Sequence, residues 1–313
     1  MRNIIFLYLL TVISSFSQNN TDGVQPFLEA IVSQFPNVRD TAISPDNTEV
    51  IFTVQSLSGD VSALVMVKKT EGKYSDPMLL PFSGQFSDME PFFSEDGLEL
   101  YFVSNRPLDS ASNEPKDYDI WFVTRETLTS KWSEPRNIGA PVNTSLDEFY
   151  PAITASGNLY FTLDDPSKNE KDNIYVSKFS NGTYSKPEAL GPAINSKGYE
   201  FNAFVSHDEK ILIYTCYNRE DGLGSGDLYI SYSDHDGNWS KAKNMGDAVN
   251  SNQMDYCPFL DRDNTLYFTS RRFDSLQNTS KKRSLSELED AINSYSNGLS
   301  RLYTKSMKLE NKF

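Results

Sequence analysis

Short polar turns followed by strands of large apolar residues recur along the chain. In one copy the turn is Ser94–Gly97 and the strand is Leu100–Phe102, which reads Leu-Tyr-Phe. Four further copies keep this order, so the five segments are residues 44–52, 94–102, 155–161, 206–214 and 261–268. A period of roughly 50 to 60 residues is typical of propeller blades that carry loop insertions.

Each copy continues with a third strand that alternates aromatic and β-branched residues, at 63–69, 119–123, 173–176, 227–230 and 301–304. Four copies then reach a polar segment with one aromatic residue, at 73–77, 131–135, 183–187 and 238–242. Three of these segments end in Pro, which lacks the N–H that a central strand needs and therefore indicates an edge strand. Each unit is predicted to be a four-stranded antiparallel meander with its outermost strand last.

The two ends of the chain are predicted to share the last blade. The fifth copy stops after its third strand, and the apolar segment Pro26–Ser33 can supply the missing outer strand. Such closure removes the free edges of an open sheet. We therefore predict an all-β fold, a single five-bladed propeller over residues 18–313. The alternative of six blades needs about 50 more residues. The expected repeats are 38–85, 86–145, 146–197, 198–252 and 253–313, with 25–33 completing the last blade.

The repeat resembles that of a known family. Residues 88–97, which read DMEPFFSEDG, residues 100–107, which read LYFVSNRP, and the tripeptide 119–121, which reads DIW, are similar to the TolB-type, WD-repeat-like β-propeller repeat. The resemblance runs from about Val38 to Met307. It implies a propeller of the bacterial envelope that binds partners, although a fold alone does not fix an activity.

The first residues have the pattern of a secretory signal peptide. Arg2 precedes the apolar run Ile4–Ile13, and Ser15 and Ser17 are the small residues that a signal peptidase reads. We expect residues 1–17 to be removed and the protein to be exported to the periplasm or the medium. No Cys follows the cleavage point, so we expect no lipid anchor. The apolar run is too short for a membrane span, and none is expected elsewhere.

Composition narrows the range of partners. The net charge of −14 and a pI near 4.6 argue against nucleic acid, whose phosphates need Lys and Arg. An anionic lipid surface is disfavoured for the same reason. We expect no cofactor and no metal, and we expect a monomer.

Aligning the copies on their turns gives two columns of polar residues at the start of each innermost strand. The first column lies eight residues before the Asp of the turn or its equivalent and comprises Val38, Asp88, Glu148, Glu200 and Asp255. The second column lies six residues before it and comprises Asp40, Glu90, Tyr150, Asn202 and Cys257. Antiparallel pairing brings the end of the second strand beside them. The sequence therefore predicts that carboxylates, arginines and a Tyr converge at one mouth of the central channel.

Two interpretations of this mouth remain open. The acidic residues either pair with arginines of neighbouring blades and hold the repeats together, or they form a ligand site, which the irregular second column favours. The candidate binding residues are Asp88, Glu90, Arg106, Glu148, Tyr150, Glu200, Asn202, Arg219, Asp255, Arg271 and Arg272. The function predicted first is recognition of an envelope protein, a peptide or a glycan. The alternative is a glycan-processing enzyme that uses Glu90 and Glu148 as its carboxylate pair.

A long insertion, Phe273–Ser300, separates the second and third strands of the last blade. Ser284 and Glu287 fit a capping box ahead of apolar residues at helical spacing. We expect a short helix over the same mouth, either as a solvated decoration or as a lid or docking element.

The remaining residues with catalytic chemistry form no convincing set. His207 and His235 are the only histidines, so no histidine-based metal site or Ser-His-Asp triad is expected. Gly222–Gly226 reads as a hairpin loop. Cys216 and Cys257 lie near the same face in adjacent blades, where buried free thiols are favoured and a disulfide is the alternative.

Overall fold

A computed structural model describes residues 23–109, 111–166, 172–273 and 282–309, and the predicted signal peptide lies outside this part. The described chain forms five antiparallel sheets, and the innermost strand of each sheet contacts the innermost strand of the next, with the fifth contacting the first. The five-bladed β-propeller is therefore confirmed, and the six-bladed alternative is wrong.

The elements follow one another blade by blade. Ahead of the first blade lie β1 (Gln25–Pro26) and α1 (Glu29–Val32). Blade one comprises β2 (Asn37–Ile43), β3 (Glu49–Gln55), β4 (Ser62–Thr70), β5 (Lys73–Tyr74) and β6 (Met78–Leu79). Blade two comprises β7 (Asp88–Phe93), β8 (Glu99–Ser104), β9 (Asp119–Thr124) and β10 (Arg136–Asn137).

Blade three comprises β11 (Glu148–Ile153), β12 (Leu159–Asp164), β13 (Asp172–Ser177), the hairpin β14 (Phe179–Ser180) and β15 (Thr183–Tyr184), and β16 (Glu188–Ala189). Blade four comprises β17 (Tyr199–Val205), β18 (Ile211–Tyr217), β19 (Asp227–Tyr232) and β20 (Lys243–Asn244). Blade five comprises β21 (Asp255–Leu260), β22 (Thr265–Ser270) and β23 (Arg301–Ser306), with α2 (Leu285–Asn293) between the last two strands.

The middle strands hold the core. Each second strand carries a fully buried aromatic residue at the same position, and these residues are Phe52, Phe102, Phe161, Tyr214 and Phe268. The outer strands are only two residues long and follow directly after the predicted edge segments. Burial of these large aromatic side chains supplies most of the apolar area that stabilises a circular arrangement of blades.

The N-terminal segment closes the last blade, as predicted, but with a shorter strand. Gln25 and Pro26 pair with Thr304 and Tyr303 of β23, and the Phe27 N–H donates to the Leu302 carbonyl at 2.9 Å. The chain then turns away at Leu28, whose φ of 54° is left-handed, and residues 29–32 form α1. Within the segment predicted to supply the outer strand, this turn ends the pairing.

Every innermost strand contains a β-bulge at the same place. The pairing register shifts between Arg39 and Thr41 in β2, and at the corresponding residues of β7, β11, β17 and β21. In each bulge one residue has a left-handed φ between 51° and 58°, and these residues are Asp40, Glu90, Tyr150, Asn202 and Cys257. A bulge bends the strand and redirects its side chains.

The propeller has two faces, which we name by their loops. The mouth face carries the starts of the innermost strands and the loops between the second and third strands of each blade. The turn face carries the tight turns between the first and second strands, such as Ser94–Gly97 of blade two. Among the helices of the described residues, neither is long and apolar enough to cross a membrane.

Helix α2 and its capping box are confirmed. The Ser284 N–H donates to the Glu287 carboxylate at 2.7 Å, and the Glu287 N–H donates to the Ser284 hydroxyl at 3.3 Å. Beyond the helix, the Tyr295 hydroxyl donates to the carbonyls of Phe27 and Leu302 at 3.1 and 2.6 Å. These anchoring contacts lie at the outer edge of blade five rather than over the mouth.

Candidate functional site

Five buried residues, one from each bulge, surround the central channel. We call Asp40, Glu90, Tyr150, Asn202 and Cys257 the channel ring, and each is less than a tenth exposed. Their positions are equivalent in the repeat, yet the five side chains differ in charge and size. The sequence column six residues before the turns therefore maps onto one structural feature.

Glu90 is the centre of the hydrogen bonds in the channel ring. Its Oε1 accepts from the Arg39 guanidinium at 2.6 Å and from the Asn202 amide at 3.2 Å. Its Oε2 accepts from the backbone N–H of Tyr150 at 2.7 Å. Both carboxylate oxygens are therefore held by partners from three other blades.

Arg39 places a cation beside the channel ring. Its Nε donates to Asp40 at 2.9 Å, while Nη2 reaches both Glu90 and the Cys257 sulfur, the latter at 3.3 Å. The guanidinium carbon also lies 5.4 Å from the centre of the Tyr256 ring, within range of a cation–π interaction. Within the described residues, Nη1 of Arg39 has no assigned hydrogen bond.

Burial sets the electrostatics of this cluster. Burial raises the pKa of Glu90 to about 7, and the neighbouring Arg39 only partly offsets that rise. Burial by itself lowers the pKa of Arg39, but the Asp40 carboxylate and its neighbours raise it well above the ordinary value. Arg39 therefore stays a cation, whereas the pKa of Glu90 lies above its ordinary value.

A cavity of about 230 Å³ opens above this cluster on the mouth face. We call it the mouth cavity, and the residues that line it are Arg39, Met89, Glu90, Phe149, Thr162, Asp172, Phe201, Asn202, Met254 and Tyr256. Its wall repeats a third column of the sequence, because Arg39, Met89, Phe149, Phe201 and Tyr256 all directly precede the channel ring residues. Sequence reasoning missed this column, although its aromatic content was the available signal.

Two predicted acidic residues pair within their own blades. The Asp88 carboxylate accepts from Arg106 at 2.6 Å, and the Asp255 carboxylate accepts from Arg272 at 2.9 Å. Both aspartates are fully buried, and both arginines are at most 13% exposed. These four residues tie the first strand to the end of the second, and none of them lines the mouth cavity.

The other predicted residues also lie away from the mouth cavity. Glu148 accepts from the N–H and hydroxyl of Thr144 at 3.1 and 2.6 Å. Glu200 accepts from the Ser196 hydroxyl and from the Cys216 thiol.

Arg219 and Arg271 have local partners. The Arg219 guanidinium lies 4.1 Å from the Tyr229 ring and pairs with Asp221, while Arg271 donates to the Ser300 hydroxyl at 3.2 Å. Of the eleven candidate binding residues, the structure brings Glu90, Tyr150 and Asn202 together in the channel.

Cysteine and histidine chemistry is limited in the described part of the chain. Cys216 and Cys257 are both buried and free. The described residues contain no group of three or more His, Cys, Asp or Glu that could hold a metal ion. His207 is only partly exposed, because its Nδ1 lies 3.1 Å from the Ile153 carbonyl and its ring contacts Phe92. His235 is exposed.

Comparison with known proteins adds to the fold and leaves the activity open. No family model and no curated protein sequence matches the chain. The solved α-L-arabinofuranosidase from Lactobacillus brevis superposes with a TM-score of 0.51 at 13% identity, over 93% of each chain. A structure described as a glycoside hydrolase superposes with a TM-score of 0.55 at 7% identity, over 87% of this chain and 88% of that one. At such identities the likeness shows the fold alone.

TolB propellers are also among the structural neighbours. TolB from Acinetobacter baumannii matches with a TM-score of 0.44 at 14% identity, over 87% of this chain. The chain spans 55% of the length of that TolB.

Proposed function

We propose that this chain is an exported, TolB-type recognition module that binds a neutral sugar ring of an envelope glycan in the mouth cavity. The observation that carries the proposal is the lining of that cavity, which combines aromatic side chains with charged side chains of both signs. The repeat pattern of residues 88–107 supports the TolB-type assignment, and the apolar segment Ile4–Ile13 supports export.

The charges in the cavity favour an uncharged ligand. Arg39 offers N–H donors, while Glu90 and Asp172 contribute carboxylates to the same lining. A cationic ligand would meet the Arg39 guanidinium, and an anionic ligand would meet the two carboxylates. A polyhydroxyl ring carries both donors and acceptors, so it suits such a mixed set of groups.

The aromatic walls favour a ligand with apolar faces. Phe149, Phe201 and Tyr256 line the cavity together with Met89 and Met254. The C–H faces of a sugar ring can pack against such side chains while its hydroxyls reach the polar floor. At about 230 Å³ the cavity lies below the ~300 Å³ at which sites for whole small molecules begin. It therefore fits one terminal ring of a larger glycan.

The hydrogen bonds of Glu90 favour binding over catalysis. Both oxygens of Glu90 are occupied by groups of the protein, so this carboxylate shapes the cavity floor. Glu148, the second carboxylate that the sequence suggested for an enzyme, does not line the cavity. A glycosidase needs two carboxyl groups at one scissile bond, about 5 to 10 Å apart.

A glycan-processing enzyme is the second candidate, because a different pair of carboxylates lines the cavity. Glu90, whose pKa is about 7, would be protonated often enough to act as an acid, and Asp172 would be its partner. Release of reducing sugar from envelope glycans, abolished by Asp172→Asn, would support this candidate. Unchanged turnover in that variant would exclude the pair.

The binding proposal is tested by retention of envelope glycans on the immobilised protein. We expect Phe201→Ala to lower glycan affinity at least tenfold, because a buried aromatic contact is worth ~1.5–3 kcal/mol. The matched control is Phe179→Ala, which removes a 40% exposed ring from the turn face. Equal retention by wild type, Phe201→Ala and the control would refute the mouth cavity as the site, and retention of peptides alone would refute the glycan.

A further inference from the structure

A second and larger cavity lies on the turn face, between blades two and three. Its volume is about 880 Å³, within the range of ~300–1,000 Å³ that is usual for ligand sites. We call it the interblade cleft. Its lining includes Glu99 and Tyr101 of blade two and Gly157, Phe179 and Tyr184 of blade three.

The next pair of blades shows one way in which this place is filled. Between blades three and four, the Glu209 carboxylate reaches back from the turn of blade four to the Tyr160 hydroxyl, at 2.8 Å. It also accepts from Thr154, Ser156 and Asn158, at distances of 2.6 to 3.0 Å. Burial raises the pKa of Glu209, but these hydrogen bonds outweigh burial and lower it. Blade four thus places the Glu209 carboxylate among hydrogen-bond donors of blade three.

Blade three has no such side chain at the interblade cleft. Gly157 stands in its turn where Glu209 stands in the turn of blade four, since both N–H groups close the turn by donating three residues back. Both residues have a left-handed φ, of 85° and 56°. The ring of Phe179 packs over Gly157, so close that an added Cβ would lie 2.8 Å from it. Tyr101, the counterpart of Tyr160, interacts with the Tyr184 hydroxyl, and Gly157 supplies no side chain at the place of Glu209.

The polar groups of the interblade cleft have the opposite sign to those around Glu209. Where blade three has the donors Ser156 and Asn158, blade two has the carboxylates of Asp96 and Glu99. Glu99 accepts from the Tyr101 hydroxyl at 2.7 Å, and its other oxygen has no assigned partner in the described structure. Because blade two has carboxylate acceptors where blade three has donors, the interblade cleft favours a cation. The neighbouring pair of blades holds the Glu209 anion at the equivalent place.

The arginines near the cleft already have partners. Arg125 is buried and pairs with Glu49 at 2.7 Å, and among the described residues its Nη2 has no hydrogen-bond partner. Arg262 lies at the rim of the cleft and donates to the carbonyl of Glu95 at 2.9 Å. The carboxylate of Glu99 therefore remains available to a ligand.

Aromatic rings form the walls on both sides. Tyr101 stacks on Phe122 with ring centres 5.7 Å apart, and Phe179 packs on Tyr184 at 4.9 Å. The guanidinium of Arg136, which does not line the cleft, lies 4.8 Å from the Phe122 ring. Rings and carboxylates together favour ammonium and guanidinium groups, whose stems also pack on apolar surface.

We propose that the interblade cleft is a second binding site, which takes the Arg or Lys side chain of a basic peptide segment. The cation would lie beside Tyr101 and Glu99. Between blades three and four, the carboxylate of Glu209 takes the equivalent place with the opposite charge. This site lies on the opposite face from the mouth cavity and does not depend on the proposed glycan binding.

The test is fluorescence anisotropy with a labelled hexapeptide that contains two arginines, against the same peptide with citrulline in both places. We expect saturable binding of the arginine peptide, weakened by salt, and at least tenfold weaker binding of the neutral one. Glu99→Gln should lower affinity about tenfold while its side-chain oxygen still accepts from Tyr101. The control is Glu114→Gln, an equal change of charge at an exposed residue of the mouth face, which should bind as wild type does.

Phe179→Ala provides a second variant that removes only a partly exposed ring, and it should weaken peptide binding several-fold. Equal affinity of the arginine and citrulline peptides would overturn the proposal, as would wild-type affinity in both Glu99→Gln and Phe179→Ala. Binding of free putrescine without binding of the peptide would overturn the assignment to a peptide. Phe201→Ala should leave peptide binding unchanged, which separates this site from the mouth cavity.

Discussion

Glu148 is a buried carboxylate that should weaken the fold at neutral pH. Its side chain is fully buried, and Oε2 has no hydrogen-bond partner within the described residues. Burial raises the pKa of Glu148 to about 7 from the ordinary 4.5, although hydrogen bonds from Thr144 act in the opposite direction. The folded state therefore holds the Glu148 proton more tightly than the unfolded state does.

The sign of the pH dependence follows from this difference. Below pH 4.5 both states are protonated, and above pH 7 both are ionised. Between these values only the folded state binds the proton, so the wild type loses stability as the pH rises. Each pKa unit is worth about 1.4 kcal/mol, so the rise to about 7 weakens the folded protein by about 3 kcal/mol at pH 8.

Glu148→Gln should remove this loss, because the amide stays neutral and still offers an oxygen to Thr144. We expect the variant to gain about 3 kcal/mol over wild type between pH 4.5 and pH 8, or about 6 °C in Tm for a chain of this size. The assay is thermal unfolding of both proteins at a series of pH values. The exposed control Glu114→Gln corrects for the change in net charge. Parallel curves for wild type and Glu148→Gln would refute the reasoning.

Three further changes should follow from buried contacts. Arg106→Ala should cost about 3 to 5 kcal/mol in urea unfolding, because it leaves the Asp88 carboxylate buried without its cation; a loss under 1 kcal/mol would contradict this. Cys216 and Cys257 should react with a thiol reagent only on unfolding, since burial raises the pKa of both thiols. Fast labelling of the folded protein would disprove it. Gly224→Ala should destabilise blades four and five strongly, since its Cβ would lie 1.9 Å from the Gln253 carbonyl oxygen; an unchanged Tm would argue against that contact.

The fold was predictable because each blade repeats the same local signals. Tight turns such as Ser94–Gly97 and aromatic strands such as Leu100–Phe102 act within a few residues, so they are visible in one sequence. The length of the closing strand was less predictable. Its end depends on the left-handed backbone of Leu28, which no residue preference announces.

The candidate site was predicted in part, because alternation along a strand fails at a bulge. Alternation places Asp88 and Glu90 on the same side of β7, so the sequence assigns both to the mouth. In the structure Asp88 pairs with Arg106, whereas the left-handed backbone at Glu90 turns its side chain towards Arg39 and Asn202. Arg39 was missed for the same reason. The available signal was the aromatic content of its column, which includes Phe149, Phe201 and Tyr256.

The bulges also restrict which amino acids evolution can place in the channel. A left-handed backbone costs about 1 kcal/mol or more for most residues and is worst for β-branched ones. None of the five channel ring residues is Val, Ile or Thr, although these are common elsewhere in the strands. The five positions are also coupled, because the Glu90 carboxylate accepts from the Tyr150 N–H and the Asp40 carboxylate accepts from the Glu90 N–H. A change at one channel ring position therefore requires matching changes at its hydrogen-bond partners, chosen from the few residue types that a left-handed backbone tolerates.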